Sequence, residues 1–392
     1  MNQKLFDRFD HGVERRGTGC AKWDACEEVF GCADVLPLWV ADMDFAAPEP
    51  VVNALVNRAQ DGVYGYSSHD DGHVRAVCDW MKRRHDFDVQ PEWVLFSPGV
   101  VSSLMYALKA LTKPGDKVAI QTPVYGPFFR MAEQTAVGIY RNPLKQTEVG
   151  WEMDLEQLEQ GFKEGVTCLM LCSPHNPVGS IWSREELAEL VALCNRYNVG
   201  IVSDEIHMDF EMPGHTHTPI LSVPGADRVI LLASATKTFN LAGLRQSSII
   251  VPNEGLRNEL TRILTDAGVE EPNLFGAMAQ TTAYREGDEW LDGLIEYLDG
   301  NRNYVQQYVA EHLPEIKLSP LEGTYLMWMD MRALNLSQRD LDKLMVEKAG
   351  VGLNSGDSFG EEGTGFVRMN IATPRRNVEE ALRRIERAVH GE

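Results

Sequence analysis

The run Ser-Ala-Thr-Lys-Thr-Phe-Asn at residues 234–240 contains the side chain best placed to do chemistry, Lys237. Small hydroxyl-bearing and apolar residues surround it, and the apolar stretch just before it, 229–233, reads as a buried strand. An amine at the end of such a strand is desolvated, which lowers its pKa and makes it a usable nucleophile and base near neutral pH. The hydroxyls of Ser234 and Thr236 can bind an anion. Arg245, a little further on, can hold the same anion as a bidentate ligand. An amine beside a phosphate cradle points to a Schiff base with pyridoxal 5′-phosphate (PLP). Taken alone, the lysine also fits a structural role, its stem packed and its head in water.

Four other segments each follow a stretch that reads as a strand. In a parallel α/β sheet the ligand crevice lies off the carboxyl ends of the strands, so each would line it. In Ser-Pro-Gly-Val-Val-Ser-Ser (97–103), Gly99 permits close backbone approach to a phosphate ahead of a helix whose first N–H groups form an anion site. Tyr125, set among turn formers in Thr-Pro-Val-Tyr-Gly-Pro (122–127), can lay its ring on a heterocycle. Asn176 lies between Pro174 and Pro177, a stiff setting for an amide that must aim at one acceptor. Asp204, in Ser-Asp-Glu-Ile-His-Met-Asp (203–209), is an acid at a buried strand end and needs a cation opposite it. A pyridinium nitrogen would serve. The first three segments also fit a bland reading as an ordinary turn or loop. For the last, metal binding by Asp204, Glu205, His207 and Asp209 is a rival, weakened because adjacent strand residues face opposite ways.

The elements that must position these residues alternate. Short apolar runs at 94–96, 117–120, 166–171, 199–203, 229–232 and 247–251 read as buried strands, with amphipathic stretches between them. One such stretch, 183–197, opens on Ser183-Arg-Glu-Glu186, a capping-box pattern. Strands buried on both faces and alternating with helices indicate an α/β layer with a largely parallel sheet. After about residue 287 the pattern becomes a smaller α+β unit: helix 289–313, strand 325–329, helix 341–348, strand 366–371 and helix 378–389. The first 45 or so residues read as irregular and are expected to pack on that unit. The expected division is a large domain, 48–287, and a small one built from 1–47 and 288–392.

Composition narrows the function. The chain has 392 residues, 37 basic and 58 acidic, for a formal net charge of −21. That charge opposes phosphate backbones and anionic lipid, so nucleic acid and membrane are not expected partners. No run is apolar enough to span a bilayer, the start lacks a secretory signal, and a cytoplasmic location is expected. The seven cysteines match no usual zinc spacing and are expected to be reduced and structural.

Assembled in this way, the sequence resembles the fold-type I PLP-dependent enzymes, the aspartate aminotransferase superfamily, over almost its whole length. Asn176, Asp204, Lys237 and Arg245 fall in that family's order and approximate spacing. Within it the sequence is most similar to the MalY/PatB-like C–S lyases of the cystathionine β-lyase type. The phrases that carry this are Leu-Trp-Val-Ala-Asp-Met-Asp-Phe (38–45), Gly-Tyr-Ser (65–67), Cys-Ser-Pro-His-Asn-Pro (172–177), the 203–209 and 237–240 runs, and Gly-Phe-Val-Arg-Met-Asn (365–370). The resemblance implies an α/β large domain with a mostly parallel sheet between helices, plus the smaller α+β domain. It implies that Lys237 forms the Schiff base and acts as base, that Asp204 pairs with the pyridine nitrogen, and that Asn176 bonds the phenolic oxygen. It further implies that Tyr125 stacks on the ring and that Gly99, Val100, Ser234, Thr236 and Arg245 hold the phosphate. His207 completes the cofactor set and, where the aminotransferase branch carries tyrosine, speaks for the lyase. Arg245 belongs to the broader superfamily and is not a reliable lyase feature. Arg368 matches the arginine that clamps the substrate carboxylate, with Trp39 and Asn176 also on the substrate. Tyr66 matches a tyrosine that reaches the phosphate from a neighbouring subunit, which implies a homodimer. The implied reaction is β-elimination from a sulfur amino acid to thiol, pyruvate and ammonia, with an aminotransferase as the alternative.

Overall fold

A computed structural model of the chain describes residues 3–68 and 71–391. Its centre is a seven-stranded sheet built from β1 (Val94–Ser97), β2 (Lys117–Thr122), β3 (Gly138–Pro143), β4 (Val166–Cys172), β5 (Gly200–Asp204), β6 (Val229–Ala233) and β7 (Ser247–Ile250). The spatial order is β1-β7-β6-β5-β4-β2-β3. All neighbours pair in parallel except β7, which runs antiparallel to both β1 and β6.

The side-chain period of two divides each strand between two buried faces. Cys168, Met170 and Cys172 of β4 join Val202, Ile230 and Leu232 beneath Leu104 and Leu108 of helix Val100–Leu111. Leu169 and Leu171 face the other way, joining Ile201, Leu231 and Leu190 of helix Arg184–Arg196. That helix starts as its sequence predicts. Ser183 Oγ accepts from Glu186 N at 3.2 Å, and Glu186 Oε2 accepts from Ser183 N at 2.8 Å. Strand β3 is absent from the sequence reading because it is an edge strand. Only Asn142 of Gly-Ile-Tyr-Arg-Asn-Pro is buried, so no apolar run announces it.

The second sheet contains β8 (Lys317–Leu318), β9 (Leu326–Asp330), β10 (Asn354–Ser355) and β11 (Phe366–Asn370) in the antiparallel order β8-β9-β11-β10. Helices Asp288–His312 and Arg375–His390 pack against each other. The helix expected at 341–348 is instead α-helical over Gln338–Lys343 and a π-helical turn over Leu344–Lys348. The N-terminal segment is also more regular than expected, with helices Gln3–His11, Ala21–Asp24 and Cys26–Phe30. Leu5 and Phe9 are buried, and Phe9 meets Trp290 and Tyr297 at ring separations of 5.7 and 5.5 Å. Its polar majority hides this amphipathic stripe in a short window. Leu36–Pro37 then pairs in parallel with Val351–Gly352. All seven cysteines are free thiols. Among the described residues no helix is long and apolar enough to cross a membrane.

Candidate active site

A pocket of about 400 Å³ opens at the carboxyl ends of the parallel strands, and its lining includes Gly99, Val100, Tyr125, Asn176, Asp204, His207, Thr236, Lys237 and Arg245. Topology explains the convergence. Strands β1, β2, β4, β5 and β6 all end at this edge and deliver, in turn, Gly99, Tyr125, Asn176, Asp204 and Lys237. Because β7 runs the opposite way, its first residue Ser247 pairs with Ser97, and the preceding Arg245 lands at the same edge.

One end of the pocket is an anion cradle. Gly99 has φ +98°, a left-handed conformation that favours glycine, and it starts helix Val100–Leu111. The first intrahelical bond runs from Ser103 N to Gly99 O. The amides of Val100, Val101 and Ser102 therefore precede the hydrogen-bonded ladder at a helix start that lines the pocket. Thr236 and the exposed Arg245 line the same pocket. The Arg245 guanidinium makes no hydrogen bond or ion pair among the described residues.

The other groups are charged or polar and conspicuously short of partners. Lys237 is half-buried, and burial lowers its ammonium pKa from 10.5 to about 8. Its Nζ donates to Ala41 O, which also accepts from the Tyr325 hydroxyl at 2.9 Å. Asp204 is buried and its carboxylate receives one hydrogen bond, from Ile206 N at 3.2 Å. Burial raises its pKa from 3.8 to about 7. Arg368 is buried without any carboxylate partner. Its guanidinium donates to Asn176 Oδ1 at 2.9 Å, Trp39 O at 2.8 Å and Asn354 Oδ1 at 2.5 Å, while Nε has no partner. Burial lowers it to about 10. His207 has an unpaired Nδ1. Burial, then the charges of Lys237 and Arg368, keeps its imidazole neutral near pH 7. A buried carboxylate lacking a cation and a buried guanidinium lacking an anion together describe a site shaped for a ligand that brings both.

Local bonds hold these groups in place. Asn176 O accepts from Tyr125 N at 3.1 Å, and His175 Nε2 lies 2.8 Å from Pro123 O, so two pocket loops brace each other. The segment 39–45, whose Ala41 carbonyl holds Lys237, is stitched from several directions. Asn240 bonds Met43 N, Met43 O and Phe45 O, and Asn370 Nδ2 bonds Val40 O and Asp42 O. Beneath it, the fully buried Lys22 reaches Asp44 at 2.8 Å, and Arg15 bridges Asp42 and Asp44 at 2.7 and 3.1 Å. Burial alone would raise Asp44, but the Lys22 ammonium holds its carboxyl below the usual range. Sequence reading missed Arg15, Lys22, Asn354 and Tyr325. Their partners lie outside any local window; Arg15, Lys22 and Tyr325 fix the segment marked by the 38–45 phrase, and Asn354 holds Arg368.

Four residues lie elsewhere than the lining: Arg368, which stands behind Asn176, and Ser234, Trp39 and Tyr66. Ser234 caps the turn Ala235–Thr238, its hydroxyl taken by Thr236 N, Thr236 Oγ1 and Gln246 O. Trp39 faces a neighbouring cavity with Phe30 and Leu353 and meets the site through its carbonyl bond to Arg368. Tyr66 is 97% exposed, away from its own chain's pocket. Of the rival metal ligands, Glu205 turns to His217 Nε2 at 2.8 Å, and Asp209 turns to Trp80, His85 and Thr238. Among the described residues no cluster of three or more His, Cys, Asp or Glu side chains is arranged to hold a metal ion.

Fold and site together define a class. The chain belongs to the class I and II aminotransferase family, whose model matches residues 33–385. Within that family it is 42% identical over 384 residues to cystathionine beta-lyase PatB of Bacillus subtilis (strain 168), covering 97% of this chain and 99% of that protein. Protein MalY of Escherichia coli (strain K12) is 34% identical over 381 residues, covering 96% and 97% respectively. The structure superposes on cystalysin from Treponema denticola, which contains a pyridoxal 5′-phosphate cofactor, with a TM-score of 0.94 and 35% identity, covering 98% of each chain.

Proposed function

We propose that this protein is a PLP-dependent carbon–sulfur lyase that releases thiol, pyruvate and ammonia from sulfur amino acids of the cystathionine type by β-elimination. The observation that carries the reading is the convergence, at one pocket, of a half-buried amine of lowered pKa and a buried carboxylate without an ion pair, with a buried guanidinium that lacks a carboxylate just behind the lining on Asn176. Similarity to PatB, named a cystathionine beta-lyase, supports the reaction type.

The residues fit the cofactor. The helix start at Gly99–Ser102, with Thr236 and Arg245, suits the phosphate. Asp204 suits a protonated ring nitrogen, whose charge would restore the carboxylate to its ionised form. Tyr125 suits the ring face and Asn176 Nδ2 the phenolic oxygen. Ser234 acts by fixing the Thr236 backbone. Bound there, PLP supplies a sink for negative charge developing at the substrate Cα. Arg368 takes the substrate carboxylate, with Asn176 and the Trp39 carbonyl holding the guanidinium in plane. Lys237, released from Ala41 O, removes the Cα proton in its neutral form, and the thiolate departs from Cβ. His207, neutral and without a hydrogen bond, keeps this wall of the pocket uncharged.

We further propose the division into residues 48–287 and residues 1–47 with 288–392, and a homodimer. The exposed Tyr66, beside exposed Tyr64 and Val63, supports a segment that completes the pocket of a second copy. The deciding experiment supplies L-cystathionine without any 2-oxo acid. Continuous release of pyruvate and thiol is the expected result, whereas a strict need for an oxo-acid acceptor establishes a transaminase instead.

A further inference from the structure

Arginines on the surface of this acidic chain are mostly engaged. Arg141 pairs with Glu362, Arg262 with Glu259 and Asp266, and Arg332 with Asp330. Arg130, on helix Pro127–Gln134, is exposed and its guanidinium has neither a hydrogen bond nor an ion pair among the described residues, yet it lines the pocket that holds Lys237 and Asp204. Two arginines without a carboxylate partner, Arg245 and Arg130, thus line this pocket, and a third, Arg368, lies behind the lining on Asn176. The proposed chemistry brings two anions for them, a phosphate at the helix start beside Arg245 and an α-carboxylate at Arg368. One guanidinium remains. Burial raises the Tyr125 phenol, and the cations that oppose it are Arg368 and Arg130. Arg130 lines the pocket together with Asn176, whose Oδ1 holds the carboxylate-binding Arg368, and it sits on a helix that begins just after Tyr125.

We propose that Arg130 is a specificity-determining residue that receives the second carboxylate of a thioether bearing an acid on both sides of sulfur, as L-cystathionine does. The proposal rests on the lyase reading and narrows its substrate class. An exposed guanidinium–carboxylate pair is worth about 1 kcal/mol, so its effect is selective rather than all-or-none.

The test compares wild type, Arg130→Met and Arg130→Lys as holoenzymes on L-cystathionine and on S-ethyl-L-cysteine, which carries one carboxylate. Arg130→Met is expected to lower the cystathionine-to-S-ethylcysteine ratio of kcat/KM about fivefold, mostly through KM, and Arg130→Lys to restore most of it. The dissociation constant for PLP, read from the cofactor's visible absorbance, should stay within about twofold of wild type. Equal losses on both substrates, or an unchanged ratio, overturn the proposal. Weakened PLP retention assigns the arginine to the phosphate and overturns it as well. If neither amino acid is turned over by wild type, the lyase reading itself fails. Titration of the visible spectrum with each amino acid then still decides whether Arg130 favours the two-carboxylate ligand.

Discussion

Asp204 offers a test of the site that needs no turnover. Its carboxyl is raised from 3.8 to about 7 because it is buried with one hydrogen bond and no ion pair. In the cofactor-stripped protein the unfolded chain then binds fewer protons at this position than the folded one between those two values. Stability is consequently lost as pH rises from about 4 through 7, the reverse of an ordinary salt-bridged aspartate. At ~1.36 kcal/mol per pKa unit the full shift corresponds to about 4 kcal/mol, of which about 2.5 kcal/mol falls between pH 5 and pH 8. Asp204→Asn keeps the shape and the acceptor for Ile206 N but cannot ionise. Its melting temperature, relative to stripped wild type, should therefore rise by about 3 °C from pH 5 to pH 8, given an unfolding entropy of ~2 cal/mol/K per residue. Titrating groups remote from Asp204 cancel in that difference. Adding PLP should erase the variant's advantage, because a ring cation opposite the carboxylate stabilises wild type alone. A flat difference between the two proteins across this pH range would refute the raised pKa and the argument built on it.

Other expectations concern neighbouring groups. Lys237→Ala should abolish turnover and leave no cofactor bound to the 237 peptide after borohydride reduction, as read by mass spectrometry; persisting turnover would remove the lysine from the reaction. Arg368→Lys retains the charge but loses the planar fork that meets Asn176, Trp39 and Asn354. Its kcat/KM should fall about 30- to 150-fold, equivalent to about 2–3 kcal/mol, and an unaltered value would exclude a carboxylate clamp. Asp209→Asn places an amide where Trp80 Nε1 at 3.0 Å and the Thr238 hydroxyl at 2.5 Å converge on a carboxylate. A cost of about 3 kcal/mol, seen as a melting temperature lower by about 4 °C, is expected. Thr238 adjoins Lys237, so a fully stable variant would show that this network does not support the lysine's turn.

Much of this protein was legible in the order of its residues, for identifiable reasons. Buried parallel strands are continuous apolar runs, and the chemistry of such a sheet gathers where the strands end. Gly99, Tyr125, Asn176, Asp204 and Lys237 could therefore be assigned to one crevice from local sequence. The capping box at Ser183 and Glu186 is local in the same sense. What tertiary structure alone decided is long-range. Strand β3 is exposed and has no apolar signature. The reversal of β7, which carries Arg245 to the pocket, follows from a pairing with Ser97 that sequence spacing does not encode. The amine of Lys237 rests on Ala41 O, and the 39–45 segment is set by Arg15, Lys22, Asn240 and Asn370. Ser234 spends its hydroxyl on its own turn, and Tyr66 points into solvent. In each case the deciding term is a hydrogen bond or a desolvation that exists only once distant parts of the chain have packed together.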